Sequence, residues 1–177
     1  MARIKENMKG TGLKLIAICI SLLLAAGCYF GFSEPVGAET APPLVAGMFS
    51  LAGKRPTNLG VKDGGLAPCP NSPNCVSSYS TDETHKIEAL AYEGTRDEAL
   101  VKLKAVIENM DNAKIITQNQ DYLYAEFTSS LMGFVDDVEF YVNEDKGLIE
   151  VRSASRLGES DLGVNRQRIE AIRKKFS

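Results

Sequence analysis

The chain has 177 residues with 20 basic and 23 acidic side chains, which gives a formal net charge of −3. That length suits one domain with a leader, and the acidic balance argues against a nucleic-acid-binding protein, which needs a basic surface. One histidine and no tryptophan give little support to imidazole catalysis or multi-histidine metal sites, so we expect no metal and no cofactor.

The N-terminal segment is typical of exported proteins. Basic residues up to Lys14 precede an uncharged run over residues 15–32, which is the order of a signal and is long enough to span a membrane. Three interpretations remain open: cleavage after Ala38, lipidation at Cys28, or a retained anchor. Each places the domain on the extracytoplasmic side, because the basic flank stays inside. We favour lasting attachment, at the periplasmic face or, in a photosynthetic source, at the thylakoid lumen face.

The composition predicts three parts along the chain. Residues 1–38 are the export signal or membrane anchor, residues 39–58 are a linker, and residues 59–177 are a single globular α+β domain. The linker contains an apolar run over residues 44–52, which is too short to span a membrane. This run either packs on the domain or lies against lipid. Residues 57–73 are rich in Gly, Pro and Asn and should be irregular loop.

Cys69 and Cys75 enclose a short loop with two prolines and two asparagines. They are the only cysteine pair in the predicted domain, and a disulfide is the usual state of such a pair in an oxidising compartment. We therefore predict a structural disulfide. The spacing is not Cys-x-x-Cys, which argues against a redox-active pair, and a metal site would need the distant His85 as a third ligand.

From His85 onward the hydrophobic pattern predicts the order β-α-β-β-β-β-α. The predicted elements are a strand over residues 86–92, a helix capped by Thr95 and Glu98, hairpins over 114–129 and 136–156, and a helix capped by Asn165 that ends near Phe176. Strands joined by tight turns form an antiparallel sheet, which we expect to be curved, with both helices on one face. The opposite face of the strand from Tyr122 to Thr128 is either exposed or the wall of a ligand site.

The second hairpin has one register that keeps its apolar residues on a single face. The predicted pairs are Val142 with Ile149, Phe140 with Val151, Val138 with Ser153, Asp136 with Ser155, and, on the other face, Glu139 with Arg152.

The core face of this hairpin becomes polar at one end, where a carboxylate must find partners. The candidate ligand-binding residues are Asp136, Ser153, Ser155, Arg156, Asp161, Asn165 and Arg166. Asp136 either fixes the loop over residues 157–163 through backbone N–H groups, or contacts an arginine among Arg152, Arg156 and Arg166. In a ligand pocket, Arg156 or Arg166 would hold an anionic group. Asp137 points to the other face, so we expect it to tolerate replacement better. No residue is assigned a catalytic role.

Three stretches together resemble one family. They are the Cys69–Cys75 loop with the Val-Ser-Ser that follows it, residues 133–139, and residues 152–166. They resemble the domain of unknown function 1499 (DUF1499), a bacterial and plastid-associated family, over roughly residues 59–176. The resemblance implies no reaction and no established site residues.

These observations favour a non-enzymatic binding or scaffold module attached to a membrane. A sheet gripped by a terminal helix can enclose an apolar or lipid-like ligand, an argument by analogy of fold. The alternative is a hydrolase-type enzyme that acts on a small anionic or lipid-derived substrate through an Asp/Arg/Ser cleft. A third interpretation is a subunit that docks on a protein partner through the Cys69–Cys75 loop. A lipid or a protein is therefore the expected partner.

Overall fold

The computed structural model describes residues 51–177, which form an antiparallel sheet and two helices. The elements are β1 (Cys75–Ser77), β2 (Leu90–Ala91), α1 (Arg96–Glu108), β3 (Ala113–Gln118), β4 (Tyr122–Thr128), β5 (Val135–Asn143), β6 (Leu148–Ser155) and α2 (Val164–Phe176). The predicted α+β class is confirmed. The leader, with Cys28 and the alternative cleavage sites, lies outside the described residues, as does most of the apolar run over residues 44–52.

The strands lie in the order β1-β6-β5-β4-β3, and β2 also pairs with β6. The predicted strand over residues 86–92 is wrong in its first half, since only Leu90 and Ala91 pair with β6. The preceding residues bond to β1 instead, because Ser77 N–H donates to the His85 carbonyl and Ile87 N–H donates to the Ser77 carbonyl. The strand β1 was not predicted, since three residues are too few to show an alternating pattern.

The hairpin of β5 and β6 has the predicted register at all five pairs. Its apolar side chains face the helices, and Val138, Phe140 and Val151 are fully buried. The hairpin of β3 and β4 is also present as predicted, with an irregularity between Ile115 and Thr117. The alternation of apolar and polar residues therefore determined which face of each strand is buried.

Both helices cover the same face of the sheet, as predicted. Thr95 N–H donates to Glu98 Oε2 over 2.8 Å, and Glu98 N–H donates to Thr95 Oγ1 over 3.3 Å, which is the predicted capping box. The helix side chains buried in this core are Ala99, Leu100, Leu103, Ile107, Ile169, Ile172 and Phe176. Burial of each large side chain stabilises the fold by roughly 1.5–3 kcal/mol, so this face is filled by packed side chains.

The start of α2 differs from the prediction. The helix begins at Val164 and Gly163 is its N-cap, with φ of 82° and no capping side chain. Asn165 was predicted to accept the free N–H groups at the start of the helix, but Asp161 accepts them instead. Its carboxylate accepts from Gly163 N–H over 2.9 Å and from Asn165 N–H over 2.8 Å. Asn165 is instead fully buried, since it lies on the helix side that faces β6.

The other face of the sheet is covered by the irregular segment before β1. Tyr122 and Tyr124 are only 6% and 3% exposed, and they pack with Leu66 and Leu59. The interpretation of these tyrosines as an exposed surface is therefore wrong. The prediction of an irregular segment over residues 57–73 is confirmed.

Candidate functional site

The predicted polar cluster forms where β5 and β6 meet α2. Asp136 is opposite Ser155, as expected, but its partner is Arg168, with 2.5 Å between Asp136 Oδ2 and an Arg168 terminal nitrogen. The predicted contacts of Asp136 with the loop 157–163 or with the other arginines are wrong. Arg168 reaches the carboxylate because α2 packs across the sheet, where its guanidinium also lies 4.8 Å from the centre of the Phe127 ring.

Asn165 connects the two predicted serines. Ser153 Oγ donates to Asn165 Oδ1 over 2.6 Å, and Asn165 Nδ2 donates to Ser155 Oγ over 3.0 Å. Arg168 donates to Asn165 Oδ1 over 2.7 Å and to Ser153 Oγ over 3.1 Å. The structure thus brings together Asp136, Ser153, Ser155 and Asn165, and it adds Arg168, which the sequence did not indicate. These bonds form a satisfied network rather than an open pocket.

The disulfide loop is docked against the same network. Cys69 and Cys75 are bonded, which confirms the predicted disulfide. Next to it, the Asn74 carbonyl accepts from Asn165 Nδ2 and from Ser155 N–H, each over 3.0 Å. The Asn74 side chain donates to the Gly158 carbonyl over 2.6 Å. The loop therefore positions the connection between β6 and α2.

Asp161 and Arg166 line a small cleft of about 290 Å³ beside the disulfide loop. Burial raises the pKa of Asp161, but the hydrogen bonds from Asn165 and Gly163 N–H groups outweigh it and hold that pKa below its ordinary value. Arg166 donates to the Thr84 carbonyl over 3.1 Å. These two candidates lie apart from Asp136, and Arg156 lies in a third place, so the predicted ligand-binding residues do not form one site.

Arg156 lies on the opposite face of the sheet from the other candidates. Its guanidinium donates to both carboxylate oxygens of Asp137, with shortest distances of 2.7 and 3.0 Å, and also contacts Glu126 and the Tyr124 hydroxyl. Hydrogen bonds with Asp137 raise the pKa of Arg156 above its ordinary value. β6 ends at Ser155, and the alternation of side chains continues for one more residue, which places Arg156 on this face. The prediction grouped Arg156 with Ser155 because the two are adjacent in the chain, and it did not apply this alternation.

The predicted pair of Glu139 and Arg152 is confirmed on this face. The pair is 3.2 Å apart and both side chains are nearly fully buried. Glu139 Oε1 also accepts from the Tyr122 hydroxyl and from Gly60 N–H, each over 2.8 Å. The Gly60 bond ties the segment before β1 to the centre of the sheet.

A second tie joins this segment to the sheet. Arg55 donates to Glu126 Oε1 over 2.6 and 2.8 Å, and its guanidinium lies 5.7 Å from the centre of the Tyr124 ring. Burial raises the pKa of Tyr124 well above its ordinary value, so its hydroxyl remains a hydrogen-bond donor. Three arginines, Arg55, Arg152 and Arg156, therefore form ion pairs with carboxylates on this face of the sheet.

An open cleft of about 620 Å³ lies between the segment and the β3–β4 hairpin. Its lining residues are Arg55, Pro56, Thr57, Leu59, Gly60, Val61, Ile116, Thr117, Asn119, Asp121, Tyr122 and Tyr124. Arg55 has half of its side chain exposed, which leaves part of the guanidinium available to a ligand. Tyr122 and Tyr124 border this cleft but are largely covered by the segment, so the interpretation of their face as a ligand wall stays a prediction.

Within residues 51–177, no three metal-ligating side chains are grouped closely enough to hold an ion. In the same part of the chain, no helix combines the length and apolar character that crossing a membrane requires.

Residues 65–176 match a family described as "Protein of unknown function (DUF1499)". The chain belongs to this family, and the predicted resemblance is confirmed. The matched range supplies the sheet, both helices and the disulfide, whereas the cleft wall from Arg55 to Val61 precedes it. No curated protein matches the chain.

Proposed function

We propose that this domain is a non-enzymatic binding module, held at the extracytoplasmic face of a membrane, that binds a lipid-like amphiphile. The observation that carries the proposal is the cleft between the segment with Arg55 and the β3–β4 hairpin. The apolar part of its wall suits an acyl chain, and the exposed half of the Arg55 side chain suits an anionic headgroup.

The shape of the cleft supports this ligand class. Leu59, Val61 and Ile116 are partly exposed along its lining, so an acyl chain can leave water along one side. The core between the sheet and the helices is filled by side chains, and the proposed site is therefore on the opposite face from the one that the helix-grip analogy suggested.

The predicted leader and the disulfide support the proposed compartment. The uncharged run over residues 15–32 follows a basic segment, and a disulfide such as Cys69–Cys75 persists in oxidising compartments outside the cytoplasm.

The alternative, a hydrolase-type enzyme, has less support from the geometry. Ser153 Oγ donates to the amide oxygen of Asn165 rather than to a base. Asp136 is paired with Arg168, so its carboxylate is engaged as a structural ion pair. A nucleophile needs an adjacent base within hydrogen-bond reach, and this cluster uses its acceptors in other bonds.

Photo-crosslinking tests the binding proposal. The full chain is reconstituted in vesicles of phosphatidylcholine and phosphatidylglycerol, and palmitate that carries a diazirine on its acyl chain is added and activated by light. We expect adducts in peptides that contain residues 55–61 and 116–124. Unlabelled palmitate should compete better than hexadecanol, which has the same chain without the charge.

Two variants provide a matched comparison. Arg55→Ala should lower the adduct yield about tenfold, the effect of losing one charge-assisted hydrogen bond. Lys62→Ala, in the same irregular segment, removes an exposed charge that is not part of the cleft lining and should leave the yield unchanged. Adducts that avoid both peptides, or equal yields in the two variants, would contradict the proposal.

A further inference from the structure

Four apolar side chains are exposed on two loops of the domain. Leu131 is 91% exposed and Leu162 is 88% exposed, while Met132 and Leu157 are 50% and 43% exposed. Single apolar residues on a surface need no explanation, but several exposed on neighbouring loops indicate an interaction site. We call these four residues the apolar end.

The two loops leave the sheet side by side. Thr128 and Val135 pair at the ends of β4 and β5, and Arg156 N–H donates to the Val135 carbonyl over 3.1 Å. The loop after β4, with Leu131 and Met132, therefore starts beside the loop after β6, with Leu157 and Leu162.

The first described residues pack against this same end. A Cβ placed on Gly53 would lie 2.9 Å from the Cβ of Arg156 and 3.0 Å from the Cγ of Leu157. Only a glycine fits here, and its φ of 67° also favours glycine. The chain thus arrives at the apolar end directly after the apolar run over residues 44–52 and about twenty residues after the uncharged run 15–32.

We infer that the apolar end inserts into the lipid interface and orients the domain on the membrane. This inference rests on the membrane attachment in the proposed function. The occupant is lipid because the chain enters at this end from a segment with the composition of a membrane anchor, and because Lys54 follows at once, where a cation meets lipid headgroups.

The inferred orientation also places the cleft. Arg55 binds Glu126, which lies two residues before the membrane-facing end of β4, whereas Asn119 and Asp121 lie at the far end of the cleft beyond Tyr122. An amphiphile that leaves the membrane would therefore meet Arg55 first.

Tryptophan fluorescence tests the inference, because the chain has no tryptophan of its own. Leu131→Trp and Leu162→Trp each introduce a single probe at a highly exposed position. Val101→Trp is the matched control, since Val101 is apolar and 67% exposed. It lies in the first half of α1, the helix whose first residue, Arg96, pairs with Glu144 in the turn at the other end of the sheet.

The full-length variants are reconstituted in vesicles, with and without lipids brominated on their acyl chains. We expect blue-shifted emission and at least twofold stronger quenching for the probes at 131 and 162 than for the probe at 101. Equal emission and quenching at all three positions would overturn the inference. A blue shift without bromine quenching would also overturn it, because the loops would then be covered by protein, from the run 44–52, a second copy or a partner.

Flotation of the wild-type chain with the vesicles measures attachment separately. A chain that does not float overturns both the attachment and the inferred docking. A chain that floats, takes up no palmitate in the cleft and is quenched at 131 would reject the ligand but support the orientation.

Discussion

The two faces of the sheet are held by different forces. On the helix-covered face, α1 and α2 are packed through side chains such as Leu103 and Ile172, both fully buried. On the opposite face, the covering segment is tied down by Gly60 N–H on Glu139 and by Arg55 on Glu126. The stabilisation from apolar packing depends mainly on the area that is buried. A hydrogen bond or ion pair forms only where a particular donor meets a particular acceptor.

This difference has a consequence for stability and for specificity. A buried ion pair gives little net stability compared with apolar packing, but removal of one partner leaves an uncompensated charge. The opposite face should therefore be tolerant of coordinated changes and intolerant of single ones. Its charges fix where the segment lies, and hence the shape of the cleft.

The largest expected loss of stability comes from replacing one of two neighbouring aspartates, whose side chains lie on opposite faces of the sheet. Asp137→Ala should lower the free energy of unfolding by about 3 kcal/mol, because the nearly fully buried Arg156 loses its bidentate partner and keeps only one carboxylate, Glu126, which it shares with Arg55. Asp136→Ala should cost about 1–3 kcal/mol, since Arg168 keeps its bonds to Asn165 and Ser153. Urea unfolding measures both values. This order reverses the expectation that Asp137 tolerates replacement better, and a smaller loss for Asp137→Ala would restore it.

Loss of the disulfide should have the next largest effect. The double change Cys69→Ser and Cys75→Ser should lower the free energy of unfolding by about 2 kcal/mol, because the closed loop is short. Far-ultraviolet circular dichroism should show that the sheet remains. Reduction of the wild-type protein is the control and should shift the thermal midpoint by the same amount. Loss of all folded signal at 25 °C would show that the loop holds more of the domain than its length implies.

The helix cap offers a smaller perturbation that is confined to the helix-covered face. Thr95→Ala should cost about 1 kcal/mol, because Glu98 N–H loses the Thr95 Oγ1 acceptor and Glu98 Oε2 loses the hydroxyl donor. Val101→Ala on the exposed side of the same helix should cost less than about 0.5 kcal/mol. Thermal unfolding compares them, and equal shifts would mean that the capping box contributes nothing measurable.

The smallest expected effect is a dependence of stability on pH, caused by Glu126 on the face of the sheet opposite the helices. Burial raises the pKa of Glu126, but hydrogen bonds from Arg156 and Arg55 outweigh it and hold that pKa below its ordinary value of 4.5. Its contribution is therefore complete above pH 4.5 and is lost as the pH falls through the lower folded value. The stability difference between wild type and Glu126→Gln should shrink below pH 4.5. A constant difference from pH 7 to pH 3 would exclude this linkage.

The sequence by itself determined the features that depend on neighbours along the chain. A period of two fixed the faces and the register of the β5–β6 hairpin, because a slip by one residue would expose Phe140 and Val151. The Thr95 capping box and the Cys69–Cys75 bond were predictable for the same reason, since each joins residues a few positions apart. The family was also recognisable from local stretches alone.

Only the tertiary structure decided which distant groups meet. Arg168 reaches Asp136 because α2 crosses the sheet, and Asn74 reaches Asn165 because the disulfide loop docks there. The cover over Tyr122 and Tyr124 comes from a segment more than fifty residues earlier in the chain, and no periodic pattern in that segment indicates its place. Such contacts depend on the shape that the whole chain adopts, which is why the cleft and the apolar end were visible only in three dimensions.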